Sequence, residues 1–169
     1  MENIIQRLYV GDDNDYEKVK DRKDWSVLRC CKYGPGGHQE TLGYTTLGAP
    51  QGANYLSVDA LRRRALNFID AKDPNFIPVQ MVEKGLQFID KRLAAGDNVL
   101  VACNAGHSRG PTTAMLYLRS IGELAGNFIS SERIFRTLYR KYDPGIGVRQ
   151  FARTHWDTFE NLLRKGTNG

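Results

Sequence analysis

An apolar run, Val99 to Ala102, passes directly into Cys103-Asn-Ala-Gly-His-Ser-Arg109 and then into Gly110-Pro-Thr-Thr, where helical spacing begins. No other stretch restricts the fold as tightly. Asn98 to Ala102 predicts a short buried strand, and Pro111 falls where the first turn of a helix tolerates a missing N–H. Ala114, Leu118 and Ile121 recur at i, i+4 and i+7, giving that helix an apolar face. The spacing of Cys103 and Arg109 alone carries little, because three Cys and fifteen Arg among 169 residues produce such a pair by chance. The strand before it and the helix after it give the pair its meaning.

A loop of this length between a strand end and a helix N-terminus turns successive backbone N–H groups toward a bound anion, and phosphate is the natural guest. The candidate phosphate-binding residues are therefore Asn104, Ala105, Gly106, His107, Ser108 and Arg109. The Arg109 guanidinium offers a planar two-pronged contact to phosphate oxygens, and Gly106 lets the backbone turn where a Cβ obstructs. Cys103 sits at the bottom of this cradle, where N–H dipoles and a fixed positive charge favour the thiolate. Such a thiolate attacks phosphorus and splits one hard hydrolysis into two easier displacements. The competing reading is a buried structural Cys beside a surface Arg.

These residues resemble the cysteine-dependent protein tyrosine phosphatases, and within them the compact dual-specificity branch. Ile4 to Gly11 is similar to that branch's opening strand, Trp25 to Cys30 to its next one, and Gly145 to Phe151 with the helix after it to the segment that closes the fold. Residues 33 to 60 match least. The resemblance implies a metal-independent phosphomonoester hydrolase that needs no cofactor. Cys103 is then the nucleophile, and phosphorylated protein side chains are the substrates. Phosphatases of RNA 5′ ends and of phosphoinositides share the resemblance and stand as alternatives.

Two positions depart from the family pattern. Ala102 stands where the family has His, which helps hold the Cys as thiolate, and Gly110 stands where it usually has Ser or Thr, whose hydroxyl eases departure of the sulfur. Thr112 and Thr113 are candidates to supply the missing hydroxyl. The departures motivate a rival from another class, a catalytically impaired phosphate-binding module.

Hydrolysis also requires a proton donor for the leaving oxygen and then a base for water, and one carboxylic acid on a mobile loop serves both. The family carries an Asp at a strand end about thirty residues before the Cys. Here Ala65 to Asp70 ends a hydrophobic strand 33 residues upstream, so Asp70 is the first choice. Asp73 is its rival, although an Asp before Pro commonly begins a turn.

Alternating strand and helix signals predict an α/β fold: a single domain over residues 1–169 with a central, mostly parallel sheet of about five strands flanked by helices. The expected strands are Leu8 to Val10, Val27 to Cys30, Ala65 to Ile69 and Asn98 to Ala102, with Tyr44 to Leu47 a weaker fifth. Val82, Leu86, Ile89 and Leu93 mark a helix that Gly96 ends; Ile134 and Leu138 lie on another, capped by Ser130 or Ser131. Trp156, Phe159 and Leu163 are the expected buried face of the last helix. Residues 32 to 54, rich in Gly and Pro, read as an irregular excursion that walls the cleft, with His38 solvated.

Three cysteines make no disulfide framework, which points to a reducing cytoplasm; Cys30 and Cys31 on one strand should face opposite sides. No run approaches the length of a membrane span, so no membrane insertion is expected. A net charge of +5 suits phosphorylated partners, and nucleic acid is permitted without being favoured. Arg62, Arg63 and Arg64, just before the strand leading to Asp70, are candidates for a substrate contact.

Overall fold

The computed structural model describes residues 1–165; residues 166–169 of the expected domain lie outside the described residues. A six-stranded sheet organises the chain, in the order β1-β2-β6-β3-β5-β4. The strands are β1 (Glu2–Ile5), β2 (Leu8–Gly11), β3 (Trp25–Arg29), β4 (Ser57–Ala60), β5 (Arg63–Leu66) and β6 (Asn98–Ala102). The middle four run parallel, and an antiparallel hairpin closes each edge. The fold is thus α/β with a mostly parallel sheet, one strand larger than expected.

Seven helices accompany it among the described residues: α1 (Asp13–Val19), α2 (His38–Leu42), α3 (Val79–Ala94), α4 (Arg109–Ser120), α5 (Phe128–Leu138), α6 (Ile146–Thr154) and α7 (Leu162–Lys165). Period-two alternation assigns the strand side chains to two cores. Leu8, Val10, Leu28, Leu66, Val99 and Val101 face α3, α4 and the helices behind them, while Trp25, Val27, Leu100 and Ala102 face Tyr16 and Val19 of α1. α4 lies inside the larger core and is buried along its whole length from Gly110 to Ser120, not on one face only. α3 carries its expected stripe and stops at Gly96, whose φ of 92° suits glycine.

Several expectations are corrected. Ile4 to Gly11 is a hairpin broken at Arg7, which adopts a left-handed φ of 63°. Tyr44 to Leu47 is irregular, and the outer strand is instead Ser57–Ala60. β5 begins at Arg63 and ends at Leu66, so Asp70 lies on the loop beyond the strand and not at its end. Cys30 and Cys31 follow β3, outside its alternation, and both are buried. Asn127, not a serine, caps α5, accepting from the Ser130 amide at 2.9 Å. Ile134 and Leu138 face outward because Phe128, Ser131, Glu132 and Phe135 form the inner face. Trp156 and Phe159 are buried, but in the turns between α6 and α7. No helix of the described residues is long and apolar enough to cross a membrane.

Candidate active site

Four parallel strands bring their C-terminal ends to one edge, where Gly11, Ala102 and Arg29 lie side by side in the ladder. Ligands of open α/β sheets bind at such an edge. The loops leaving it are residues 12–13, the excursion from 30, the stretch from 67 to 73 and the segment 103–108. Cys103 follows β6 directly and is 2% exposed. Gly106 turns the loop with φ 73°, and a Cβ there would lie 3.1 Å from the Gly11 carbonyl oxygen, so both conformation and space call for glycine.

The loop is held from several directions. The Asp13 amide donates to the Asn104 carbonyl at 3.1 Å, and the Tyr139 hydroxyl donates to the Gly106 carbonyl at 2.7 Å. Burial pushes the Tyr139 phenol well above its ordinary pKa, which keeps that donor protonated. On the far side the Asp143 amide donates to the His107 carbonyl at 2.9 Å, and the Gly145 amide to Ser108 Oγ at 3.0 Å. His107 is exposed and donates from Nδ1 to the Lys141 carbonyl at 3.0 Å. Among the described residues, the amides of Asn104 to Ser108 donate to no protein acceptor. Five consecutive unpaired donors beside a helix N-terminus are an arrangement that favours an anion.

Arg109 opens α4 with its guanidinium fastened at two points. Nη1 donates to the Phe68 carbonyl at 2.9 Å and Nη2 to Asn104 Oδ1 at 2.8 Å. Its Nε lies 3.9 Å from Asp70 Oδ2, so the structure brings Cys103's loop, Arg109 and Asp70 together. The Asp70 side chain is 37% exposed and packs against Gly145, where a Cβ would meet its carboxylate. Asp73 is instead the cap of the short 3₁₀ turn Pro74–Phe76, accepting from the Asn75 amide at 2.9 Å.

At Gly110 a Cβ would lie 3.4 Å from Cys103 Sγ, so the hydroxyl absent here would have stood beside the sulfur. Of the two threonines, Thr113 is committed elsewhere, and the buried Thr112 hydroxyl makes no hydrogen bond. Thr113 Oγ1 donates to the Arg109 carbonyl at 2.8 Å and receives the Cys30 thiol at 3.5 Å, while Thr112 neighbours the Tyr142 phenol.

Other expectations fail on placement. His38 is not solvated: it is fully buried, bonded to the Tyr44 hydroxyl at 3.1 Å and the Asn54 carbonyl at 2.7 Å, and desolvation lowers its pKa. It ties the ends of the excursion together. Arg62, Arg63 and Arg64 lie at the start of β5, away from the cradle. They bind Asp97, the Tyr16 and Thr41 hydroxyls, and Asp59 respectively. The excursion does reach the site, because the Tyr33 carbonyl accepts from Asn104 Nδ2 at 3.0 Å. Asp13, Arg29, Tyr139 and Gly145 were not foreseen; their contacts cross the sheet or join distant segments, and no local pattern marks them.

Neither the family models nor the curated proteins compared with this chain gave a match. Solved structures did. DUSP15 is similar with a TM-score of 0.69 at 17% identity, covering 99% of this chain and 95% of that one. The human tyrosine phosphatase-like serine/threonine/tyrosine-interacting protein gives 0.64 at 16%, covering 94% and 97%. Human DUSP28 gives 0.61 at 14%, covering 98% and 99%. The chain therefore has the fold of the dual-specificity branch of the protein tyrosine phosphatases.

Proposed function

We propose that the protein is a metal-independent phosphomonoester hydrolase working through a phosphocysteine, with phosphorylated protein side chains as substrates. The observation that carries this reading is the ring of unpaired amides from Asn104 to Ser108, closed by Arg109 and floored by Cys103. Amides and guanidinium hold the three non-bridging oxygens and stabilise the charge that develops on them in transfer. The Cys103 thiolate attacks phosphorus as the P–O bond to the leaving group breaks, and Asp70 delivers a proton to the departing oxygen. The Asp70 carboxylate then takes a proton from water, whose oxygen attacks phosphorus and releases inorganic phosphate and the thiolate.

A second reading, a phosphate-binding module with little turnover, is favoured by the missing hydroxyl at Gly110. One neighbour in fold is itself described as phosphatase-like and as an interacting protein. Turnover of an aryl phosphate in the presence of a chelator separates the two. The hydrolase should show catalysis abolished by Cys103→Ser, with inorganic phosphate still bound by that variant. Phosphate binding without turnover in the unaltered chain would select the binding module.

A further inference from the structure

Arg29 ends β3 with its side chain completely buried, and the fold does not need a charge there. Burying a guanidinium is costly unless it is paired and fully hydrogen-bonded. Its ion-pair partner among the described residues is Asp13, and its plane lies over the Tyr16 ring, 4.7 Å from the centroid. Nε and Nη1 make no hydrogen bond. An apolar residue of similar size would satisfy the core at lower cost. What the charge obtains lies on the other side of Asp13.

Asp13 Oδ2 accepts from Asn104 Nδ2 at 3.3 Å, and Asn104 Oδ1 accepts from Arg109 Nη2 at 2.8 Å. The Asn104 amide has two ends, and Asp13 together with the Tyr33 carbonyl, 3.0 Å from Nδ2, determines which faces Arg109. Without Asp13 the Tyr33 carbonyl alone holds the NH₂ end, and an amide that turned would set donor against donor at the guanidinium. The Asp13 side chain is 32% exposed, so it needs a fixed cation to stay turned inward. We propose that Arg29 is a positioning residue of the phosphate loop, acting through Asp13 and Asn104 to set the orientation of Arg109. This rests on the reading of residues 103–109 as a phosphate cradle.

The departure at Ala102 fits the same arrangement. Ala102 is the ladder partner of Arg29, and Ala102 shares a core with Tyr16, the residue over which Arg29 lies. A methyl group at position 102 leaves the sheet face open for the arginine stem to reach Asp13.

The test is a cycle on inorganic phosphate affinity, measured by titration calorimetry on the full chain, together with the thermal midpoint and KM for an aryl phosphate. Arg29→Met should weaken phosphate binding and raise KM by about tenfold each, with only a small fall in the midpoint, since the Asp13 carboxylate it leaves behind is 32% exposed and can turn to water. Asn104→Ala should cost a similar factor, and the double variant should be no worse than Asn104→Ala alone, because both act on one chain of contacts. Should Arg29→Met fail to fold, Arg29→Met with Asp13→Ala removes both charges together and enters the same cycle. Phosphate affinity indifferent to Arg29, or losses that multiply in the double variant, would overturn the inference while leaving the cradle intact. An unaltered chain that bound no phosphate would overturn both.

Discussion

Asp70→Asn should separate the two parts assigned to this carboxylate, because they move binding and turnover in opposite directions. Asp70 Oδ2 lies 3.9 Å from Arg109 Nε and so competes with phosphate for the guanidinium. At that separation the attraction is about 1 kcal/mol in water and about 4 kcal/mol at an effective dielectric constant of about 20. A carboxylate exposed to 37% belongs near the lower figure. Removing the charge should therefore tighten inorganic phosphate inhibition by roughly fivefold, taking about 1.4 kcal/mol per factor of ten. Turnover should fall because Asn cannot donate a proton to the leaving oxygen. For an aryl phosphate with a poor leaving group the loss should be on the order of 10²- to 10³-fold, and for one whose leaving group departs readily it should be small. The assay is kcat and competitive phosphate inhibition across a series of aryl phosphates. Equal losses along the series, or weaker phosphate inhibition, would refute the assignment and reopen the case for Asp73.

Gly106→Ala should cost about 1–2 kcal/mol for the left-handed backbone alone. The Cβ would also press on the Gly11 carbonyl, so urea unfolding should show the loss and phosphate binding should weaken with it. Ala102→His should not raise turnover: the imidazole would enter the face used by Arg29, and overpacking should lower stability by about 1–3 kcal/mol. A more active and equally stable variant would contradict that arrangement. Burial raises the thiol pKa of Cys30 and Cys31, so at any given pH both are less ionised than an ordinary thiol. Iodoacetate should therefore label Cys103 first across neutral pH, and peptide mapping that found Cys31 ahead of it would count against the cradle.

The strand, loop and helix that frame residues 103–108 were legible in the sequence because they are contiguous. A strand, a glycine-bearing loop and a helix N-terminus are written in consecutive residues from Asn98 to Ser120, and local rules suffice to read them. Asp70 was chosen by its distance from Cys103 and does lie beside Arg109, although the strand thought to deliver it ends earlier, at Leu66. Ser57–Ala60 was missed because a four-residue edge strand carrying Asp59 shows little apolar pattern; Tyr44 to Leu47 looked better and lacks a ladder partner. The positioning contacts had no sequence signal. Asn104 meets Asp13 across 91 positions, and Arg29 reads as a polar strand residue until the sheet places it under α1.

The central claim is that Cys103 carries the phosphoryl group. Rapid denaturation during steady turnover of an aryl phosphate, followed by mass spectrometry of the peptide containing Cys103, tests it most directly. A fraction of that peptide should be heavier by one phosphoryl group on Cys103, absent in Cys103→Ser and increased at elevated substrate when hydrolysis of the intermediate is the slower step. Sustained turnover with no such species and with activity retained in Cys103→Ser would contradict it.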